Sequence, residues 1–430
     1  MVPNLVTALT GPINELEQRL LESMPAIERW FRLEWMEHTP TFYCSVDLRN
    51  AGYKLAPVAT DLFPAGFNHL TPQMLPLAVQ AAMAAIEKIC PEAKNLLLVP
   101  CAHCDSASYL EHLQRLVQVF TQAGLNVRLG SADPDLDAPQ TLRSATGEAL
   151  VIEPLQRHRT RLGLKDFDPC TILLNDDLRA GVPRVLQNLY EQYLLPPLHA
   201  SWATRRKSHH FHSYEEVAKK FAKLMGMDPW LINPMSAHCG QVEAGSDAGL
   251  ECVRSHCEAL LARQRRKFKE YGIAERPFVV VKADAGGMGA GVLTVRDVRE
   301  LDAARLQRAL ARPPGQEPGV SEVIIQEGVP TCERIDEAMA EPVVCTIDRY
   351  VVGGYYRVLA GRASDESLQA PETRYVSLDF AESPMLPARG ARPGASAPNR
   401  FYMYGVIGRL AMLAAAYELE ATDPEAEDYD

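Results

Sequence analysis

The stretch Phe278-Val-Val-Val-Lys-Ala-Asp-Ala-Gly-Gly-Met-Gly-Ala-Gly-Val-Leu-Thr-Val295 decides the fold of the chain around it. Four apolar residues, three of them β-branched, lead into Lys282 and predict a buried strand. Strand character resumes at Val292, so the pattern is strand, glycine loop, strand. The loop between the strands carries four glycines: Gly286, Gly287, Gly289 and Gly291.

This glycine loop differs from the two common phosphate-binding glycine motifs. The dinucleotide fingerprint must open a helix, and a Walker A lysine follows its glycines, whereas Lys282 precedes them. A glycine-rich hairpin can still close over a polyphosphate, because backbone N–H groups approach the oxygens where no Cβ intervenes. Lys282 would then add a positive charge for the phosphates. The alternative is an ordinary glycine-rich turn beside a surface lysine.

Composition places the chain among soluble proteins. With 430 residues, 47% hydrophobic and 23% charged, it should hold two to three domains with sizeable cores. The net charge is −11 and no basic block is interleaved with aromatics, so nucleic acid is not expected as a partner. No apolar run approaches membrane-spanning length and no signal peptide is evident, which favours a cytoplasmic enzyme without a membrane partner. The ten cysteines are scattered, as is typical of reduced thiols.

Helices and strands alternate between residues 72 and 176, which predicts a parallel, layered α/β region. The predicted elements are helices 72–88 and 107–123 and strands 95–100, 125–130, 149–153 and 170–175. Ligands of open α/β sheets bind at the carboxyl ends of strands, here near Pro100 and Asn175. Cys101-Ala-His-Cys104 follows the first of these ends. We interpret it as a loop or pocket segment rather than a redox pair or a zinc site.

The segment Asp47-Leu-Arg-Asn-Ala-Gly-Tyr-Lys54 concentrates an acid, two bases and an amide within eight residues. Such a cluster suits an α-amino acid, since Arg49 can bind a carboxylate bidentately while Asp47 meets an ammonium group. A solvated strand end with local ion pairs is the other interpretation. The candidate substrate-binding residues from this part of the chain are Asp47, Arg49, Asn50, Lys54 and Asn68.

A second polar concentration, residues 202–212, carries three positive charges and three histidines. Lys207 is a candidate for a second phosphate-binding lysine, and a solvated basic turn is the alternative. Ser213 with Glu216 forms a capping-box pattern, which predicts a helix from Tyr214 to Met225.

The last third of the chain supplies the remaining candidates. A predicted strand over 321–329 ends in Gln326-Glu327, which can present polar groups to an adenine and a ribose. Strands are predicted over 341–348 and 349–358, with a chain reversal near Gly353-Gly354. Arg357 can steady a transferring phosphoryl group, or it can be an ordinary strand arginine. The candidate magnesium ligands are the carboxylates of Asp348, Asp365 and Glu366.

The order of these features along the chain resembles the ATP-grasp architecture. The features are the two lysines, the glycine hairpin, the strand that ends in Gln326-Glu327 and the carboxylates that follow it. Over its whole length the chain resembles the proteobacterial glutamate–cysteine ligase family. The segments that carry the resemblance are 5–12, 42–57, 195–200, 228–234, 279–295, 348–357 and 404–410.

The resemblance implies an ATP-grasp-like α/β fold, with an N-terminal layered α/β substrate region at 1–195. An ATP-binding α+β region with the glycine-rich hairpin would follow at 196–430. It also implies ATP- and Mg²⁺-dependent joining of glutamate to cysteine through an acyl phosphate. Lys207 and Lys282 would bind phosphates, the glycines would form a lid, and Gln326-Glu327 would border the nucleoside. Small-molecule amino acids are then the expected partners, and a homo-oligomer is compatible with the sequence.

Three segments depart from the pattern of this family. The hairpin Ala285-Gly-Gly-Met-Gly289 lacks a Thr-Tyr pair, and Asp365-Glu-Ser-Leu-Gln369 lacks two asparagines. In the loop after residue 100 only His103 matches, which makes it a candidate substrate-binding residue. Two alternatives therefore stay open: a paralogous ligase with another amino acid donor or acceptor, and a non-catalytic protein that binds nucleotide.

Overall fold

The computed structural model describes residues 5–8, 11–101, 106–144, 147–242, 247–286, 292–309, 321–370, 372–378 and 400–426. This part of the chain is a mixed α/β fold. Its helices are α1 (Pro12–Glu22), α2 (Met24–Glu37), α3 (Leu75–Ile89), α4 (Ala107–Gln122), α5 (Lys207–Met225), α6 (Asp247–Glu270), α7 (Ala303–Ala309) and α8 (Phe401–Ala421). Among the same residues, no helix is both long enough and apolar enough to cross a membrane.

The strands of the described residues form three larger sheets and one hairpin. They are β1 (Leu5–Val6), β2 (Tyr43–Asn50), β3 (Leu55–Asp61), β4 (Asn95–Pro100), β5 (Asn126–Ser131), β6 (Gln140–Arg143), β7 (Ala149–Pro154), β8 (Gln156–His158), β9 (Arg161–Gly163), β10 (Thr171–Asn175), β11 (Tyr193–Leu195), β12 (Ser236–Val242), β13 (Val279–Ala283), β14 (Val292–Val295), β15 (Ser321–Glu327), β16 (Arg334–Ile335), β17 (Ala338–Ile347), β18 (Tyr350–Leu359) and β19 (Arg374–Ser377).

The six-stranded sheet has the order β11-β10-β4-β5-β7-β6 and is parallel except at β6. This confirms the predicted parallel region, and the predicted strand 95–100 has the observed bounds of β4. Its apolar run is buried on both faces, as expected for a parallel strand covered by helices. The alternating strands and helices of this region therefore follow directly from the sequence pattern.

The seven-stranded antiparallel sheet joins both ends of the chain. β17 pairs with β16 and β18 and also with β2, which in turn pairs with β3. The predicted boundary between the regions 1–195 and 196–430 therefore runs through this sheet. β2, from the N-terminal region, pairs with β3 and also with β17 of the C-terminal region. α8 packs against this sheet and is buried on nearly all sides.

The four-stranded antiparallel sheet has the order β12-β15-β13-β14 and packs with α6 around a separate apolar core. β13 and β14 pair from Val279–Val295 to Lys282–Val292, which confirms the two predicted strands. Gly286 is described and has a φ of 89°, a conformation that favours glycine. The predicted lid residues Gly287, Gly289 and Gly291 lie outside the described residues.

Two predictions of local structure are wrong. α5 begins at Lys207 rather than Tyr214, so Ser213 is a buried interior residue of this helix and not its cap. The reversal between β17 and β18 occurs at Asp348-Arg349, and Gly353-Gly354 lie within β18. These glycines are needed because a Cβ at Gly354 would overlap the carbonyl oxygen of Val343 on the paired strand.

The expectation of reduced cysteines also needs a correction. Cys239 of β12 and Cys252 of α6 form a disulfide across a sequence separation of 13 residues. The sequence gives no indication of this pair, since the contact depends on how α6 folds back onto the edge of the four-stranded sheet.

Candidate active site

A cavity of about 340 Å³ lies where the four-stranded sheet, the seven-stranded sheet and the start of α5 meet. β13 and β15 supply its walls from the first sheet, and β2, β3, β17 and β18 supply them from the second. Its volume lies within the usual range for small-molecule sites. Most of the charged candidates from the sequence lie along these walls.

Lys282 reaches the cavity because side chains alternate along β13. Val279 and Val281 point into the core of the four-stranded sheet, so Val280 and Lys282 face the other way. The Lys282 ammonium donates hydrogen bonds to Val58 O at 3.0 Å and to Gln326 Oε1 at 2.8 Å. Burial, and next the positive charge of Arg49, lower the pKa of Lys282 to about 8. A buried ammonium with a lowered pKa is stabilised when an anion binds beside it.

Lys207, the first residue of α5, lines the same cavity. Its Nζ donates to Ala283 O at 2.8 Å and also to Gly286 O, and it lies 4.8 Å from the ring centroid of Trp202. Burial, and next the charge of Lys282, lower the pKa of Lys207 to about 7. The two predicted phosphate lysines, 75 residues apart in sequence, are therefore brought together at one site.

Asp284 holds the start of α5 against the glycine loop, a role that the sequence analysis missed. Its carboxylate accepts hydrogen bonds from the Ser208 backbone N–H at 2.7 Å and from the Ser208 hydroxyl at 2.6 Å. The Lys207 N–H donates to the Asp284 carbonyl at 2.9 Å. Asp284 is fully buried, so these bonds fix the position of Lys207 relative to the strand that carries Lys282.

Arg357 and Asp47 belong to a buried network of alternating charges on the cavity wall. Arg357 donates to Asp47 at 2.9 Å and to Glu341 at 2.7 Å, and Arg49 donates to Glu341 at 3.0 Å. Burial alone would lower the pKa of Arg357, but Asp47 and Glu341 hold it above its ordinary value. Both interpretations of residues 47–54 thus have support, because Asp47 and Arg49 line the cavity and also form ion pairs. Glu341, which connects the two arginines, was not predicted.

Two other residues of that segment lie outside the cavity. Lys54 is 1% exposed and donates to the Glu327 carboxylate at 2.7 Å. Asn50 is fully buried and donates to Glu333 at 3.1 Å. Neither residue lines the cavity, so the structure does not bring them together with the other candidate residues there.

Gln326 and Glu327 both line the cavity, but the Glu327 carboxylate already has several partners. It accepts from Lys54, from Trp230 Nε1 at 2.8 Å and from the Met235 N–H at 3.0 Å. The Glu327 carboxylate, which was predicted to border a ribose, therefore links β15 to the segment before β12. The Gln326 amide oxygen accepts from Lys282.

Of the three predicted metal ligands, Asp365 alone lines the cavity. It is 7% exposed and pairs with Arg296. Asp348 lies in the turn between β17 and β18, with its carboxylate 3.7 Å from Lys88 Nζ, and it does not line the cavity. Glu366 lies beside the cavity, where its carboxylate accepts from the Ala363 N–H at 2.7 Å. Asp61, at the end of β3, is a further cavity carboxylate, and burial raises its pKa.

The loop before α3 contributes His69 to the cavity, and not the predicted Asn68. His69 lines the cavity and stacks on Tyr375 at 4.3 Å, whereas Asn68 does not line it. Burial lowers the pKa of His69 to about 4, so the ring is neutral at physiological pH. His103 and Cys104 lie outside the described residues.

Two lysines with lowered pKa values therefore line one cavity of a mixed α/β protein. A sequence model of the glutamate–cysteine ligase family matches residues 17–419. The crystal structure of a candidate γ-glutamylcysteine synthetase from Methylobacillus flagellatus KT is 50% identical to the chain, with a TM-score of 0.89. The match covers 98% of this chain and 100% of that chain. The chain therefore belongs to the glutamate–cysteine ligase family and is a carboxylate–amine ligase-type enzyme.

More distant solved structures are much less similar. A D-alanyl-alanine synthetase from Vibrio cholerae is 12% identical, over 76% of this chain and 80% of that chain, with a TM-score of 0.34. A glutathione synthetase-like effector from Globodera pallida is 10% identical, over 85% and 84%, with a TM-score of 0.39. Likenesses of this size support no conclusion about the chain. No curated protein matches it.

Proposed function

We propose that this protein joins the γ-carboxylate of L-glutamate to the amine of L-cysteine, with ATP and Mg²⁺, in glutathione biosynthesis. The observation that carries the proposal is the convergence of Lys207 and Lys282 on one cavity. The positive charge of Lys282 lowers the pKa of Lys207, and a polyphosphate would supply the missing counter-charge. Membership of the glutamate–cysteine ligase family supports the amino acid pair.

The proposed chemistry has two steps. A γ-carboxylate oxygen attacks the terminal phosphorus of ATP, and ADP leaves to give an acyl phosphate. The unprotonated cysteine amine then attacks the acyl carbon, phosphate leaves with the proton that the nitrogen loses, and the amide forms. Lys282 and Lys207 would offset the charge of the transferring phosphoryl group, with Arg357 on the facing wall. The hairpin between β13 and β14 would exclude water from the acyl phosphate.

The carboxylates at the cavity suit a magnesium ion bound together with the phosphates. Such an ion needs one or two protein carboxylates, and Asp365 and Asp61 line the same space. Burial raises the pKa of Asp61, and a cation beside it would reverse that shift. Either residue would hold the ion, which when bound offsets negative charge on the phosphates.

The assay that tests the proposal is ADP release with L-glutamate and a panel of amines, with products identified by mass. We expect release that requires both glutamate and cysteine and gives the mass of γ-glutamylcysteine. Release with another pair alone would mean that the loops which depart from the family pattern have changed the substrate. Tight ATP binding without turnover on any pair would show a nucleotide-binding protein and contradict the proposal.

ATP binding should also take up protons near pH 8. The pKa values of about 7 for Lys207 and about 8 for Lys282 leave both ammonium groups partly deprotonated there. Bound phosphates raise both pKa values, so we expect uptake of about one proton per ATP. Calorimetry in buffers of different ionisation enthalpy measures this uptake. Lys207→Arg, whose guanidinium stays charged, should lower it, and equal uptake by both proteins would contradict the assignment.

A further inference from the structure

Three side chains outside the cavity place soft metal-ligating atoms close together. They are Cys239 on β12 and Cys252 and His256 on α6. The two sulfurs and His256 Nδ1 all lie within 4.8 Å of one another. Neither the proposed ligase chemistry nor the cavity uses these residues.

The sulfur-to-nitrogen distances of this cluster match those between two ligands of a tetrahedral metal site. His256 Nδ1 lies 3.3 Å from Cys239 Sγ and 3.7 Å from Cys252 Sγ. Zinc bonds of about 2.3 Å to sulfur and about 2.0 Å to nitrogen, at tetrahedral angles, separate these atoms by about 3.5 Å. Cys252 and His256 are four residues apart on α6, so they present their ligands from one face of the helix. Cys239 faces them from the edge strand.

We propose that, once the disulfide is reduced, Cys239, Cys252 and His256 bind a zinc-like divalent cation. Three protein ligands leave the fourth position to water. Cys252 and His256 are partly exposed, so an ion can reach the site from solvent. The Cα atoms of the two cysteines are 6.5 Å apart, which leaves room for the sulfurs to separate around a metal.

The metal-free disulfide and the metal site are alternative states of the same side chains. A dithiol reductant gives two electrons and two protons to the Cys239–Cys252 bond and itself becomes a disulfide. The cation then binds both sulfurs as thiolates and releases the two protons. His256 Nδ1 lies 2.9 Å from the Cys252 carbonyl oxygen, which accepts a hydrogen bond from it when Nδ1 carries the ring proton. A metal-ligating nitrogen must be unprotonated, so metal binding would place the ring proton on Nε2 and break this bond.

Either link would join the edge of the four-stranded sheet to α6. Cys239 pairs with Val323 of β15, and β15 also pairs with β13, the strand of Lys282. The cation would therefore brace the sheet that carries the lysine without touching the cavity.

Cobalt titration of the full-length protein tests this site. The protein is reduced with a phosphine, freed of metal and titrated anaerobically with Co²⁺, whose thiolate charge-transfer absorption reports sulfur ligands. We expect one Co²⁺ per chain, displaced by Zn²⁺, and no such absorption from the oxidised protein. Cys252→Ser should weaken binding by about 100-fold or more, and His256→Ala by at least about tenfold.

The chain offers a matched control in a second pair of sulfurs. The sulfurs of Cys90, just after α3, and Cys170, just before β10, lie 2.9 Å apart. Cys170→Ser should leave the cobalt absorption and affinity unchanged. Circular dichroism of every variant checks that the fold is retained. Absence of thiolate absorption in the reduced wild type would overturn the proposal, as would absorption that survives in the Cys239→Ser/Cys252→Ser double variant. Neither readout depends on ligase activity. The result for the metal site is therefore independent of whether the proposed ligase function is correct.

Discussion

Lys282→Ala should lower kcat for ADP release by about 10²- to 10³-fold, the usual effect of removing one charge-stabilising donor from an active site. The side chain is held between Val58 O and Gln326 and points into the cavity. Its loss removes a charge next to the phosphates that alanine cannot replace, while the strand around it keeps its pairing to β14 and β15. Steady-state kinetics with glutamate and cysteine measures the effect, and circular dichroism confirms that the variant is folded.

Lys219→Ala is the matched control for this substitution. Lys219 lies on α5, its side chain is 61% exposed, and it pairs with Glu215 four residues before it. We expect its kcat and KM to equal those of the wild type, because exposed pairs of this kind contribute little. A Lys282→Ala enzyme with full activity would remove the lysine from the mechanism and with it the proposed arrangement of the phosphates.

Local sequence patterns predicted the elements well wherever burial follows a simple period. The apolar run of β4 and the strands on both sides of the glycine loop are examples. The same local reasoning failed at Ser213, because the pattern of a capping box also occurs by chance inside a long helix. It failed again at Gly353-Gly354, where the glycines serve close strand contact rather than a turn.

The sequence predicted most of the charged residues of the candidate site but not the ion pairs that they form. Lys282, Lys207, Asp47 and Arg357 all reach the cavity, as the residue types suggested. Lys54 and Glu327 are 273 residues apart in sequence, and no local pattern could show that they neutralise each other. Long-range pairs of this kind decide which charged residues are left to bind a ligand.

Glu418→Gln should lower the free energy of unfolding at pH 7 by about 3–5 kcal/mol, the usual cost of breaking a buried ion pair. The Glu418 carboxylate accepts two hydrogen bonds from the Arg205 guanidinium, at 2.9 and 3.0 Å, and lies 3.0 Å from His210 Nδ1. The variant leaves the buried Arg205 guanidinium without its counter-charge. Urea unfolding of both proteins measures the difference.

The effect of Glu418→Gln should also depend on pH. Burial opposes ionisation of Glu418, but Arg205 and His210 together outweigh it and lower the pKa from 4.5 to about 2. A lowered pKa stabilises the fold above the unfolded value, and this stabilisation is lost as the pH falls from 4.5 towards 2. The difference in unfolding free energy between variant and wild type should therefore be constant near neutrality and become smaller in acid.

Glu420→Gln is the matched control. Glu420 lies two residues further along α8 in a half-exposed pair with His38, and its substitution should lower the free energy of unfolding by less than about 1 kcal/mol. Equal losses in the two variants would show that the buried pair contributes no more than a surface one.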